Sequence, residues 1–132
     1  MQIKFEHIQF TEIEYKVKTF EKNVTHQLET TLSIGSRFSE DSPYGFAIVF
    51  NFALQNKSKE FKLKIKAIAH FSTIETIDEA FKQSPFIDIN APAIAFPYVR
   101  TFISNLTLNS GFDAIVLPAF NFVQMAEENK NK

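Results

Sequence analysis

The sequence predicts an α+β fold: a four-stranded antiparallel sheet with one long and one short C-terminal helix packed on one face. Four segments in the first half alternate apolar and polar residues, the period of a strand. Short connections favour antiparallel pairing, because parallel strands need long crossovers. Near the C-terminus the apolar spacing changes to three and four residues, and strands followed by helices indicate an α+β layer fold.

Length and composition exclude several classes of protein. The 132 residues fit one domain, 1–132, and the net charge of −1 gives no basic footprint for nucleic acid. There is no cysteine, which excludes disulfides and thiolate metal sites and fits a reducing compartment. The sequence shows no signal-peptide pattern and no apolar stretch that could span a bilayer. We expect a cytoplasmic protein without membrane insertion.

The first strand segment, Gln2 to Thr19, changes phase twice. The apolar residues fall into three groups of alternating parity: Ile3 and Phe5, then Ile8 and Phe10, then Ile13, Tyr15 and Val17. A change of parity moves side chains to the other face, so the two slips predict β-bulges or a bend.

Three more strands are predicted. Val24 to Ile34 alternates and reads as half-buried, and the stretch from Gly35 to Gly45 reads as a loop. Phe46 to Leu54 is apolar on both faces and predicts a central strand. Phe61 to Phe71 buries its odd positions, and a short helical stretch around Ile74 to Lys82 follows it.

The outward row of Lys62, Lys64 and Lys66 has two interpretations: protection of an exposed strand against aggregation, which we favour, or a basic strip for an acidic partner.

The long helix is predicted within Asp88 to Phe112. Asn90 is a candidate N-cap, Pro92 suits the first turn, and Gly111 suits the C′ position after the helix. Pro97 leaves two alternatives open: a helix from Asn90 with a kink, or a helix that begins at Pro97 after an extended segment. The last helix has a clear start, with Asn121 as N-cap and Gln124 placed to complete a capping box.

No residue pattern indicates an enzyme or a cofactor. His7, His26 and His70 lie on three different predicted strands without metal-binding spacing, and a catalytic or metal role would need them to converge with carboxylates. Three scattered glycines cannot form a phosphate loop, and no serine-nucleophile motif is present. We therefore expect no catalytic residues, no metal and no cofactor.

The aromatic content indicates a binding surface. Sixteen phenylalanines and three tyrosines are many rings for a small domain, so some are expected to line a groove, although a Phe-rich core would also account for them. An apolar groove can hold extended polypeptide. The alternatives are ordinary packing of helix on sheet and a closed pocket for a hydrophobic small molecule. The candidate groove residues lie where strand ends, loop and helix start could meet: Phe20, Leu32, Ile34, Phe112, Leu117, Phe120 and Phe122.

The C-terminal third also carries a family resemblance. Its motifs are Phe96-Pro97-Tyr98-x-Arg100 and Leu117-Pro118-x-x-Asn121-Phe122, within a run from Asn90 to Phe122. This run resembles the C-terminal half of SecB, the protein-export chaperone, and weaker similarity reaches back to about Ile3. The resemblance implies a cytoplasmic, ATP-independent holdase that binds unfolded preproteins and assembles as a homotetramer, a dimer of dimers.

Residue roles follow from that resemblance. It implies that Tyr98, Phe102, Ile103 and Leu106 divide between core and oligomer contact, and that the crossover around Tyr15 to Phe20 helps to roof the groove. In SecB, acidic residues on the sheet dock the SecA motor; those positions fall at His7, Thr11 and near Lys64 here. Docking to SecA by those contacts is therefore in question. Some SecB-like proteins serve toxin–antitoxin systems, and the sequence does not separate that role from export.

Overall fold

A computed structural model describes residues 2–19 and 27–130. They form one antiparallel sheet of four strands in the order β1-β4-β3-β2, followed by helices, which confirms the predicted fold class. The strands are β1 (Ile3–Val17), β2 (Leu28–Phe38), β3 (Gly45–Asn56) and β4 (Phe61–Thr73). The helices are α1 (Glu79–Lys82), a π-helical turn (Phe86–Asn90), α2 (Ala91–Asn109) and α3 (Phe122–Lys130).

Strand β1 contains both predicted irregularities. Its register against β4 shifts between Phe5 and His7 and again between Phe10 and Glu12. Each shift lies where the apolar parity changes in the sequence. The extra residue at each bulge returns the apolar side chains to the helix-covered face of the sheet.

Strand β2 is longer than predicted at its C-terminal end. It continues past Ile34 and through Gly35, which pairs with Val49, as far as Phe38. The predicted loop from Gly35 to Gly45 is therefore wrong over its first residues, because pairing with β3 outweighs the turn signal of glycine and serine. The predicted start at Val24 lies outside the described residues.

Strands β3 and β4 form the centre of the sheet, as predicted for β3. Lys59 closes the hairpin between them with φ of 62°, and the Asn56 side chain accepts the backbone N–H of Phe61 at 3.2 Å. The central place of β4 corrects our preferred interpretation of the lysine row. Lys62 and Lys64 lie exposed on the open face of the sheet, and they protect no edge.

Helix α2 runs through Pro97, which settles the alternatives for its start. Asn90 already has helical angles, with φ of −69° and ψ of −49°, and its side chain makes no capping bond. Asn90 therefore holds the predicted position before α2 but does not cap the helix with its side chain, because the chain enters α2 from the preceding π-helical turn and not from an extended residue. Pro92 does occupy the first turn of the helix.

The end of α2 is a Schellman motif. Gly111 has φ of +94°, which a residue with a Cβ rarely adopts. Its N–H donates to the Leu108 carbonyl at 3.1 Å, and the N–H of Phe112 donates to the Thr107 carbonyl at 3.1 Å. The predicted C′ position of Gly111 is confirmed.

The core lies between α2 and one face of the sheet. Phe50 and Leu63 from the central strands and Phe96, Val99 and Ile103 from α2 are almost entirely buried there. Alternate residues of β4 point into this core, and the lysines between them point to the opposite, open face of the sheet.

Candidate functional site

Helix α3 is the element around which the candidate site is built. The Asn121 side chain caps it by accepting the backbone N–H of Gln124 at 3.0 Å, as predicted. The Gln124 side chain instead donates to Glu128 at 3.3 Å, so the expected capping box is only half formed. The helix packs against the π-helical turn that precedes α2, and a groove lies on each of two sides of this contact.

The first groove, here called the edge groove, has a volume of about 480 Å³ and runs along β2. Five consecutive β2 residues, 32–36, line one wall, and because neighbouring strand residues point to opposite faces, such a groove must follow the edge of the strand. The order of the sheet makes β2 an outer strand. The remaining lining residues come from the π-helical turn and α3: Ile87, Asp88, Met125, Ala126, Glu128 and Asn129.

The second groove, here called the linker groove, has a volume of about 420 Å³. Phe120 and Phe122 line it and are half-buried. Both rings meet the buried Phe96 ring edge to face, with ring centroids 5.0 and 5.8 Å apart. The other lining residues are Ile89, Ala93, Ala119, Asn121 and Val123, and Val123 is 50% exposed.

The structure separates the seven predicted groove residues. Leu32 and Ile34 line the edge groove and are half-buried. Leu117 is buried in the core at 3% exposure, and Phe112, at the end of α2, is in the lining of neither groove. The single predicted groove is thus two grooves that share α3. Phe20 lies outside the described residues.

Sequence reasoning did not identify several lining residues. Ile87 and Ile89 lie in the π-helical turn, whose spacing matches neither a strand nor an α-helix, so no periodic signal was available. Met125 and Ala126 could have been found, since they are the apolar residues that follow the capped start of α3.

The linker between α2 and α3, residues 110–121, is held along α2 by three polar side chains. Arg100 donates to the carbonyls of Leu117 at 2.7 Å and Pro118 at 3.0 Å. Ser104 donates to the Ile115 carbonyl at 2.5 Å, and Thr107 accepts the Ile115 N–H at 3.0 Å. These bonds replace the backbone ladder that an irregular segment lacks.

The predicted oligomer residues divide between surface and core. Tyr98 is 50% exposed and stacks on Phe5 with ring centroids 4.6 Å apart. Phe102 and Leu106 are half-buried. Ile103 is completely buried within the protomer and belongs to its core. Helix α2 also exposes Ile94 and Leu108 on the same side as Tyr98.

The open face of the sheet carries the positions predicted for motor docking. His7 stacks on His70 with centroids 4.4 Å apart, and the Nε2 atom of His70 lies 2.8 Å from the Gln9 side-chain oxygen. Partial burial and then the nearby His7 lower the pKa of His70. Thr11 and Lys64 border a shallow hollow on the same face.

Two classes of site are not found within the described residues. Among residues 2–19 and 27–130, no group of three or more histidines and carboxylates is arranged to hold a metal ion. None of the helices in these ranges combines the length and apolar character that a bilayer crossing requires.

With this geometry established, comparisons with known proteins identify the family. A family model described as preprotein translocase subunit SecB matches residues 5–132. The chain belongs to the SecB family. By sequence, the chain is similar to the uncharacterized protein MJ0357 of Methanocaldococcus jannaschii, with 29% identity over 121 residues, which is 85% of this chain and 78% of that protein.

Two solved structures share the fold. The Mycobacterium tuberculosis Rv1957 SecB-like chaperone, in complex with a ChAD peptide from the Rv1956 HigA1 antitoxin, aligns with a TM-score of 0.70 at 14% identity. The alignment covers 89% of this chain and 90% of that one. A Streptococcus agalactiae protein of unknown function aligns with a TM-score of 0.52 at 14% identity over 90% of this chain and 98% of its own. The resemblance to SecB is thus confirmed, and the chain has the fold of a SecB-like chaperone.

Proposed function

We propose that this SecB-family protein is an ATP-independent holdase that binds non-native polypeptides in the edge groove and the linker groove. The observation that carries the proposal is the pair of grooves on α3, one of which follows an outer strand of the sheet. A long unfolded chain could occupy both grooves at once. The activity needs no cofactor and no catalytic residue.

The edge groove supports binding of an extended segment. In the described residues β2 pairs only with β3, so its outer edge offers backbone donors and acceptors to an added strand. Leu32, Ile34 and Met125 offer apolar contact beside that edge. Backbone bonds are independent of client sequence, and apolar contacts ask only for hydrophobic side chains, so many clients would be accepted.

The linker groove supports binding of apolar side chains. Phe120, Phe122 and Val123 present partly exposed carbon surface there. Burial of such surface stabilises a complex by roughly 25 cal/mol per Å², before the entropic cost of ordering the client is subtracted. Because each groove is small, tight binding requires one client to occupy several grooves at the same time.

An oligomer would supply those additional grooves. We propose a homotetramer, a dimer of dimers, with Tyr98, Phe102 and Leu106 at or beside the contact between copies. The exposed side of α2 supports this, since Ile94, Tyr98 and Leu108 are large apolar residues on one helix surface. Linked sites raise apparent affinity without any new type of contact.

We consider two candidate roles in the cytoplasm, which differ in the client that is bound and in the partner that receives it: protein export and a toxin–antitoxin system. Family membership supports delivery of preproteins for export, with SecA as receiving motor. The fold shared with a SecB-like chaperone that holds an antitoxin peptide supports a toxin–antitoxin role. The positions that carry the SecA-docking acids in SecB are occupied here by His7, Thr11 and Lys64, none of which is acidic. This difference favours a receiving partner other than SecA.

Light scattering coupled to size-exclusion chromatography tests the proposal. We expect the wild-type chain to run as a tetramer, to form a stoichiometric complex with reduced, carboxymethylated α-lactalbumin, and to suppress aggregation of an unfolding client. Val123→Ser and Ile34→Ser should each weaken the complex, and Val116→Ser is the matched control because Val116 is 80% exposed and lines neither groove.

The alternative, a carrier of a hydrophobic small molecule, makes the opposite prediction. A carrier would ignore unfolded chains and would copurify with an apolar ligand visible by native mass spectrometry after mild extraction. That pair of results would contradict the holdase proposal. The grooves favour the polypeptide, because both are open to solvent and not enclosed.

A further inference from the structure

The linker between α2 and α3 must be held in place for the linker groove to exist. It has no regular secondary structure, yet it buries Ile115 and Leu117 and delivers Phe120 to the groove wall. Irregular segments are the most mobile parts of a domain unless side chains satisfy their backbone groups. The side chains that do so therefore control the shape of the groove.

Arg100 holds the part of the linker nearest the groove. Its Nη1 and Nη2 atoms donate to two successive carbonyls, at 2.7 Å to Leu117 and 3.0 Å to Pro118. The planar guanidinium presents both donors in a fixed geometry that a lysine ammonium cannot reproduce. Pro118 is two residues before Phe120, so this clamp limits where the Phe120 ring can lie.

Phe96, one helical turn before Arg100, holds the same region through its ring. The Arg100 guanidinium carbon lies 5.8 Å from the Phe96 centroid, and the rings of Phe120 and Phe122 meet Phe96 edge to face. Two neighbouring residues of α2 thus fix both the backbone of the linker and the rings that it carries. The cation–π contact couples the two.

The other two tethers act farther from the groove. Ser104 and Thr107 both bind Ile115, which lies two residues before the first carbonyl held by Arg100. Loss of Ser104 would free the start of the linker, whereas loss of Arg100 would free the part that forms the groove. This difference provides a control within the same segment.

We infer that Arg100 is a positioning residue for client binding, which it controls by holding Phe120 and Phe122 at the linker groove without lining the groove itself. The inference rests on the proposed holdase function. The inference gives Arg100, the last residue of the Phe96-Pro97-Tyr98-x-Arg100 motif, a role in shaping the binding surface in addition to any contribution to folding.

The test compares four variants of the full chain: Arg100→Lys, Arg100→Met, Arg37→Met and Ser104→Ala. Arg37 is the other arginine of the sequence and is exposed on the open face, so its variant is matched in charge and size. Fluorescein-labelled, reduced and carboxymethylated α-lactalbumin serves as the client probe. The measurements are its dissociation rate, hydrogen–deuterium exchange of residues 116–121, and the thermal midpoint Tm.

We expect Arg100→Met to raise client dissociation about tenfold and Arg100→Lys about fivefold, since charge-assisted bonds are lost and affinity changes act mainly on dissociation. Exchange should increase at residues 116–121 and remain unchanged in β3. Arg37→Met should resemble wild type in all three measurements. Ser104→Ala should increase exchange near Ile115 and leave client dissociation unchanged.

The outcomes separate the inference from the proposed function. If the wild type binds the client and both Arg100 variants release it at the wild-type rate, the inference is overturned and the holdase proposal stands. If the wild type does not bind, both are overturned. If Arg100→Met does not fold, Arg100→Lys decides between the two results. A uniform increase in exchange across β3 would show a purely structural role and would also overturn the inference.

Discussion

Phe10 on β1 and Phe102 on α2 stack face to face, with ring centroids 4.0 Å apart and ring planes 12° apart. This contact joins the outer strand of the sheet to the long helix. The bulge between Phe5 and His7 allows the Phe10 ring to face the helix.

Phe102→Ala should lower the free energy of unfolding by about 2–4 kcal/mol, because it removes the stack and leaves a cavity between β1 and α2. Urea denaturation measures the change. Val116→Ala should change stability by less than about 0.5 kcal/mol, since Val116 is exposed. An effect of Phe102→Ala as small as that of the control would show that the stack does not stabilise the fold.

Tyr98→Glu should reduce the oligomer to a smaller species while the protomer stays folded. A charge at the centre of a symmetric contact meets its own copy across the axis and is repelled. Multi-angle light scattering gives the mass and circular dichroism reports the fold. Val116→Glu adds the same charge on the linker and should leave the mass unchanged. An unchanged mass for Tyr98→Glu would place the interface elsewhere.

Thr107→Val should lower the free energy of unfolding by about 1–3 kcal/mol despite its similar shape, because a buried N–H would lose its acceptor. The Thr107 hydroxyl is fully buried, accepts the Ile115 N–H at 3.0 Å and donates to the Ile103 carbonyl at 3.0 Å. Thr107→Ser keeps the hydroxyl and should recover part of the loss in the same urea experiment. Equal stability of the valine and wild-type chains would show that Ile115 finds another acceptor.

Stability should fall as the pH is lowered from about 6.5. The folded chain holds the pKa of His70 below its usual value of 6.5, by partial burial first and by His7 second. Between the two pKa values the unfolded chain binds more protons, so the free energy of unfolding rises with pH. This contribution is complete above the unfolded pKa and is lost as pH falls through the lower folded pKa.

His70→Gln should therefore flatten the pH dependence of the urea midpoint between pH values of about 7.5 and 5. His7→Gln removes the neighbouring charge but not the burial, so it should flatten the dependence less. An NMR titration of the imidazole protons provides the pKa of His70 directly. A pH dependence unchanged in both variants would assign the effect to other groups.

The sequence alone predicted four strands and both bulges of β1, although it ended β2 too early. Side chains alternate with a period of two, so a change of parity between Phe5 and Ile8 or between Phe10 and Ile13 requires an extra residue, and the structure has a bulge at each position. The end of α2 at Gly111 and the cap of α3 at Asn121 were predictable for the same kind of reason, because local backbone chemistry determines them.

The π-helical turn and the two grooves were not predictable in the same way. Asn90 and Pro92 are a standard helix start, yet the chain is already helical before Asn90 because the turn at Phe86–Asn90 packs against α3. The grooves depend on where α3 lies relative to β2 and α2. No local sequence pattern encodes that relative position.

By itself, the sequence determined the fold class, the family and the residues able to bind apolar surface, because periodicity and capping are properties of neighbouring residues. Only the tertiary structure decided which of those residues are accessible. It buried Ile103 and Leu117, left Tyr98 and Val123 exposed, and divided one expected groove into two on either side of the contact made by α3. Accessibility is a property of the packed molecule, since it depends on which distant segment covers each side chain.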